Sequence, residues 1–229
     1  MTVSKIAKSK DDAHVRRMKK AKPKQRFKTL SKVDQYIVTG RALADLLNQK
    51  RKEKGKKHEW TGLYLVVSQF KASYIEVDPA TGLLTQSAIM KIKRAMANAI
   101  KRVLGPDAAF AMAIEFHDKT GLPVEPHGHI IVIKHLYQGT MKDLEKALHK
   151  IAGNSDPGTV DIQYLSKHAG YKHHLARVRD EADFRRTAGY DAKNEHTRFY
   201  RSKTVLTHVP GIWEALKAHY LKLGGTGSS

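Results

Sequence analysis

The chain has 229 residues, enough for one domain with a substantial core and too few for two large ones, and it contains no cysteine, which excludes disulfides, thiolate metal sites and cysteine nucleophiles. Lysine and arginine number 42 against 22 acidic residues, a formal net charge of +20 with a pI near 10.0. Such an excess points to a polyanionic partner, nucleic acid first. A membrane is not expected as partner, because no apolar run approaches the roughly 20 residues a spanning helix needs, and with no signal-type segment in the sequence a soluble, cytoplasmic protein is the expectation.

Residues 1–28 are polar and basic, with Lys19, Lys20, Lys22, Lys24, Arg26 and Lys28 close together. They cannot bury enough surface to fold alone, so a disordered arm that contacts phosphates without sequence choice is expected. Over residues 29–58, the spacing of Val33, Ile37, Leu43, Leu46 and Leu47 predicts an amphipathic helix from Ser31 to about Lys50, weakest at Gly40, running into the basic linker 51–57. Residues 63–70 have the β-branched and aromatic content of a buried strand, which residues 74–77 extend or pair with before a turn at 78–82. Residues 85–104 read as a helix: Ile89, Ile92, Met96, Ile100 and Leu104 form one stripe, Thr85 caps the start, and Gly105-Pro106 ends it.

Two strands are predicted next, the first at 109–117, the second running through Ile130, Ile131, Val132 and Ile133. His127 and His129 stand two apart on the second, so they share a face, because strand side chains alternate with period two. A hairpin turning near Gly121 and Pro123, with 115 opposite 129 and 117 opposite 127, places Glu115, His117, His127 and His129 together. Two imidazoles and one carboxylate hold a divalent ion and leave coordination positions open for a phosphoryl oxygen. Thr140 with Asp143 then opens a helix that turns Leu144, Leu148 and Ile151 inward and closes at Gly153, and Val160, Ile162 and Tyr164 make a further strand. The order strand, helix, strand, strand, helix, strand predicts an α+β domain, a central antiparallel sheet flanked by helices, over 59–205. A C-terminal helix and flexible tail are expected at 206–229.

No phosphate loop of the Gly-x4-Gly-Lys-Ser/Thr type is present, so no built-in nucleotide-driven motor is expected. A metal beside a basic surface can cleave nucleic acid with water or with a side-chain nucleophile, and tyrosine is the candidate here. Tyr190 stands three residues before Lys193 in a segment of helical character, which puts the ammonium on the tyrosine's face. Tyr164 with Lys167 has the same spacing and is the alternative nucleophile. Arg185 and Arg186 on one side of Tyr190, and Arg198, Arg201 and Lys203 on the other, are candidate DNA contacts. The histidines of Lys167-His168 and Lys172-His173-His174 more simply face phosphate or water.

These features, in this order, resemble the HUH endonuclease superfamily, and within it the rolling-circle replication initiators of plasmids and filamentous phages. The resemblance rests on the apolar strand 63–70, the carboxylate-bearing strand followed by Pro126-His127-Gly128-His129, and Tyr190-x-x-Lys193 with the basic run 197–203. It spans roughly 60–205 and departs from the family at Gly128, where a bulky apolar residue is usual, and at Asp191; the glycine suggests a loosened strand that nucleic acid approaches closely. The resemblance implies an HUH nuclease domain with an RRM-like core, in which His127, His129 and Glu115 hold Mg²⁺ or Mn²⁺, His117 being the alternative ligand. It implies that Tyr190 attacks single-stranded DNA at a replication origin, leaving a 5′-phosphotyrosine and a free 3′-hydroxyl, with Lys193 offsetting charge. A host polymerase and a separate helicase are the further partners, in a bacterial cytoplasm and from a plasmid- or phage-borne gene. A single-tyrosine transposase or mobilisation relaxase uses the same chemistry, and a non-catalytic DNA- or RNA-binding protein is the reading of another class.

Overall fold

The computed structural model describes residues 32–53, 59–117, 122–164 and 198–225. In chain order they form α1 (Lys32–Lys52), β1 (Trp60–Val67), α2 (Gln86–Leu104), β2 (Ala109–His117), β3 (Pro123–His135), α3 (Met141–Ala152), β4 (Val160–Tyr164), β5 (Arg198–Arg201) and α4 (Lys203–Gly225). The five strands make one sheet in the order β4-β1-β3-β2-β5, every neighbouring pair antiparallel. β1 and β2 flank β3 and are joined through α2, while β4 returns to the outer side of β1 through α3, a split βαβ arrangement repeated about the central strand. The expected α+β class with a flanked antiparallel sheet is therefore present.

Alternation sorts the two faces. Leu63, Leu65 and Val67 of β1, Phe110, Met112 and Ile114 of β2, and Ile130 and Val132 of β3 point to the layer formed by α2 and α3. There they meet Ile89, Ile92, Met96 and Ile100 of α2 and Leu144, Leu148 and Ile151 of α3, the same stripes that helical periodicity marks in the sequence. Burying each such side chain is worth about 1.5–3 kcal/mol. Both helices start as their capping residues dictate: the Thr85 hydroxyl accepts from Ala88 N–H, and Thr140 and Asp143 form a reciprocal capping box. Residues 72–74 make a 3₁₀ turn instead of extending β1, with Tyr74 N–H donating to the Lys71 carbonyl at 2.8 Å, and the expected turn at 78–82 follows, the Asp78 carbonyl accepting from Gly82 N–H at 2.7 Å.

The opposite face is covered by α1 and α4, which the sequence pattern sets apart from the central domain. Val38, Ala42, Leu43 and Leu47 of α1 and Val205, Val209 and Trp213 of α4 pack on Tyr64, Ala111, Ile131 and Ile133, a second core on the same sheet. α1 passes through Gly40 without a break, and the imidazole of His208 meets the Asp45 carboxylate at 2.7 Å to join the two helices. The predicted helix at 206–229 begins earlier, at Lys203, where buried Ser202 accepts from Phe110 N–H through its side chain at 3.1 Å. No helix among the described residues is long and apolar enough to cross a membrane. The arm 1–28, most of the linker and the segment holding Tyr190, Lys193, Arg185, Arg186 and the histidines 168, 173 and 174 lie outside the described residues.

Candidate metal centre

β2 and β3 pair with Glu115 opposite His127 and Ala113 opposite His129. The hairpin is thus shifted by two residues from the pairing expected from sequence, in which 129 faces 115 and 127 faces 117. A shift of two preserves parity, so Glu115, His127 and His129 still share one face. The offset already holds from Ala109↔Ile133 to Glu115↔His127, and an irregularity between Glu115 and His117 shifts the ladder further, so that His117 pairs with Pro123. It carries His117 out of the group: the residue is buried, and its ring packs against Phe116 at a centroid distance of 4.4 Å.

The remaining three form one cluster, with a donor atom from each lying within 4.8 Å of the others. His127 Nε2 is 3.4 Å and His129 Nε2 3.9 Å from the same oxygen, Glu115 Oε2. These gaps are wider than a charge-assisted hydrogen bond and narrower than the roughly 4.2 Å that two metal-ligand bonds of about 2.1 Å can span. The far side of each ring is also engaged. His127 Nδ1 lies 2.9 Å from the backbone carbonyl of Glu125, which can only accept, so Nδ1 carries the proton and Nε2 is left as the Lewis base. His129 Nδ1 is hydrogen-bonded to the Tyr64 hydroxyl. A ring whose outer nitrogen is held in this way presents its other lone pair in a fixed direction.

The Glu115 side chain is only 7 % exposed, and a carboxylate that far from water is accommodated best beside a cation. The imidazoles are 24 % and 28 % exposed, so one side of the cluster is open to an incoming ligand. That opening comes from the sheet: β1 ends opposite Gly128, so residues 123–127 of β3 have a neighbour on the β2 side alone, where Pro126 costs no ladder bond toward β1. The donor set of two nitrogens and one oxygen fits a divalent ion with vacant coordination positions.

Gly128 has a different reason from the one its sequence context suggests. A Cβ there would lie 2.6 Å from Met96 Cε and 3.3 Å from Phe70 Cζ, both on the buried α2 side. The glycine makes room for core side chains behind the two histidines and does not face the open side at all.

The other expected site residues separate. Tyr164 ends β4 opposite Leu63 and packs into the core of the α2 and α3 layer, on the face away from the cluster. Arg201 projects under α1, donating from Nε to Thr39 Oγ1 at 2.6 Å and from Nη2 to Gln35 at 3.4 Å, and burial lowers its guanidinium to about pKa 10. Arg198 opens β5 opposite Ile114, one residue before Glu115, and Lys203 is exposed at the start of α4. Tyr64 is the site residue that sequence reasoning misses. Its signal is a polar-tipped ring alternating with Leu63 and Leu65 in an otherwise apolar strand. No protein-family model and no curated protein sequence matches the chain.

Proposed function

We propose that this chain is a metal-dependent, site-specific single-stranded DNA endonuclease of the HUH type, a nickase that initiates rolling-circle replication. The observation that carries the reading is the convergence of His127 Nε2 and His129 Nε2 on one buried Glu115 oxygen at the open end of the central strand, with both Nδ1 atoms already engaged. The three residues would hold Mg²⁺ or Mn²⁺, which draws electron density from a phosphoryl oxygen and makes phosphorus a better electrophile. Oxygen ligation and abundance favour the former, imidazole ligation the latter.

The chain's own groups supply the rest. Tyr190 forms the new bond from its phenolic oxygen to phosphorus, the bond from phosphorus to the 3′-oxygen breaks, and that oxygen leaves as a 3′-hydroxyl once protonated. Lys193 offsets negative charge on the phosphoryl oxygens as it builds. Chain connectivity supports this assignment, since Tyr190 precedes by eight residues the entry into β5 at Arg198, beside Ile114 and next to Glu115. Eight residues reach at most about 29 Å, enough to return to the cluster. Tyr164 is tethered to the wrong face. A separate helicase and a polymerase in a bacterial cytoplasm would act on the nicked product.

The test is to incubate the protein and Mn²⁺ with a labelled pool of randomised single-stranded oligonucleotides and to search for a protein-DNA adduct that survives denaturation. The adduct is expected with wild type and Tyr164→Phe and absent with Tyr190→Phe or excess chelator. An adduct that persists in Tyr190→Phe assigns the nucleophile elsewhere, and no adduct with either metal contradicts the nuclease reading.

A further inference from the structure

In the layer opposite the metal cluster lies a groove of about 580 Å³ along α3, and its C-terminal end reaches Lys71, four residues beyond the end of β1 at Val67. Lys142, Lys146 and Lys150 line it at intervals of four, so they stand on one helix face, and Lys71 joins them from the segment after β1. Glu145 and His149 also line the groove, but these two face each other at 3.7 Å, and His149 Nδ1 is tied to the Asn154 carbonyl at 2.8 Å. Among the described residues none of the four lysines makes an ion pair within 4.0 Å.

The groove is held in place by backbone. Lys71 N–H donates to the Ile151 carbonyl at 3.0 Å, and Gly153, left-handed at φ 95°, closes α3 so tightly that a Cβ there would sit 2.6 Å from Lys71 Cγ. Compensation of the helix dipole accounts for Lys150 in the last turn and not for Lys142 in the first, where a cation opposes the dipole. The link to the metal cluster is short: Phe70 abuts the back of Gly128, between the two ligand histidines, and the next residue is Lys71.

We infer that this groove is a track for the phosphate backbone of single-stranded DNA flanking the metal centre, the strand rounding the end of the sheet near residues 68–71. The inference rests on the nucleic-acid reading above and needs no cleavage. A stripe from i to i+8 is about 12 Å long; Lys142 and Lys146 act on the Asp143 carboxylate from a distance, but with no ion pair within 4.0 Å among the described residues a row of ammonium groups over that length is suited to a repeating anion.

The experiment measures binding of the full chain to a randomised single-stranded oligonucleotide pool by fluorescence anisotropy, in chelator, as a function of salt. Each phosphate contact contributes about 0.7 to the slope of log K against log salt for single strands, so Lys142→Gln/Lys146→Gln/Lys150→Gln is expected to lower that slope by about 2. Arg94→Gln/Lys101→Gln/Arg102→Gln, an equal charge loss on the exposed face of α2, is expected to leave most of it. Mn²⁺ binding and melting temperature should match wild type in both triple variants. Equal slopes for the two triple variants overturn the proposal, as does wild type that binds no DNA at low salt. Loss of binding to phosphatidylserine vesicles with an unchanged DNA slope also overturns it, making the groove a lipid contact. A chain that never nicks but shows the groove-specific loss keeps this inference and loses only the nuclease reading; nicking with no loss does the reverse.

Discussion

At the scale of single residues, the cluster depends on what stands behind it. Tyr64 is buried against α1 and α4, so Tyr64→Phe keeps the ring packing and removes only the hydroxyl that holds His129. Loss of such an outer-shell partner is expected to weaken Mn²⁺ binding about 10- to 100-fold, measured by calorimetry, with the fold intact. Unchanged affinity would mean that the hydroxyl does not position the ring. Gly128→Val is expected to destabilise the chain by about 1–3 kcal/mol in denaturant unfolding, because its branches must displace Met96 and Phe70. An unaltered midpoint would show that the space behind β3 is not filled. That both histidines and Glu115 share one face was legible in the sequence, because a period of two survives any even slip of register; their pairing was not. The bulge that removes His117, and the core atoms that require Gly128, were not, since both depend on side chains brought from elsewhere in the chain.

The elements follow their local signals where those signals are strong. Thr140→Ala is expected to cost about 1 kcal/mol by loss of the α3 cap, read as a fall in the unfolding midpoint. The same cap has an acid signature. The Thr140 hydroxyl and then its backbone N–H hold the Asp143 carboxyl below its ordinary value of 3.8, so the unfolded chain binds that proton more readily than the folded one. The contribution is complete above pH 3.8 and is lost as the pH falls through the lower folded value. Removing the Thr140 hydroxyl should flatten that part of the acid limb; an identical limb would separate Asp143 from the cap. Both capped helices and the strands around them were readable from periodicity and capping residues. β5 was not, because four residues, Arg198–Arg201, carry too little pattern, and arginines at both ends resemble a phosphate-binding surface more than a strand. Arg201 instead joins β5 to α1. Arg201→Ala is expected to cost about 1.5–3 kcal/mol through lost charged hydrogen bonds, and to change stability more than DNA affinity. The opposite ranking would restore it as a contact.

For the whole molecule, the second layer is the largest departure from the pattern. α1 and α4 are separated by some 150 residues of chain yet bury the same face of the sheet, joined by His208 and Asp45. Sequence periodicity shows that a helix has an apolar side and cannot show which sheet covers it, so the two helices read as additions to the domain. Their placement leaves the candidate metal site at the end of that face that neither helix covers. The net charge of +20 gives the molecule a long-range attraction for polyanions, and the arrangement of Glu115, His127 and His129 is one that could hold a metal ion.

The most direct measurement is a calorimetric titration of Mn²⁺ into the full chain, compared with His127→Ala and His129→Ala. One saturable site in wild type, abolished in both variants while their melting temperatures without metal stay close to wild type, is the predicted result. Binding that is absent in wild type, or retained in both variants, would contradict the assignment of these residues as a metal centre.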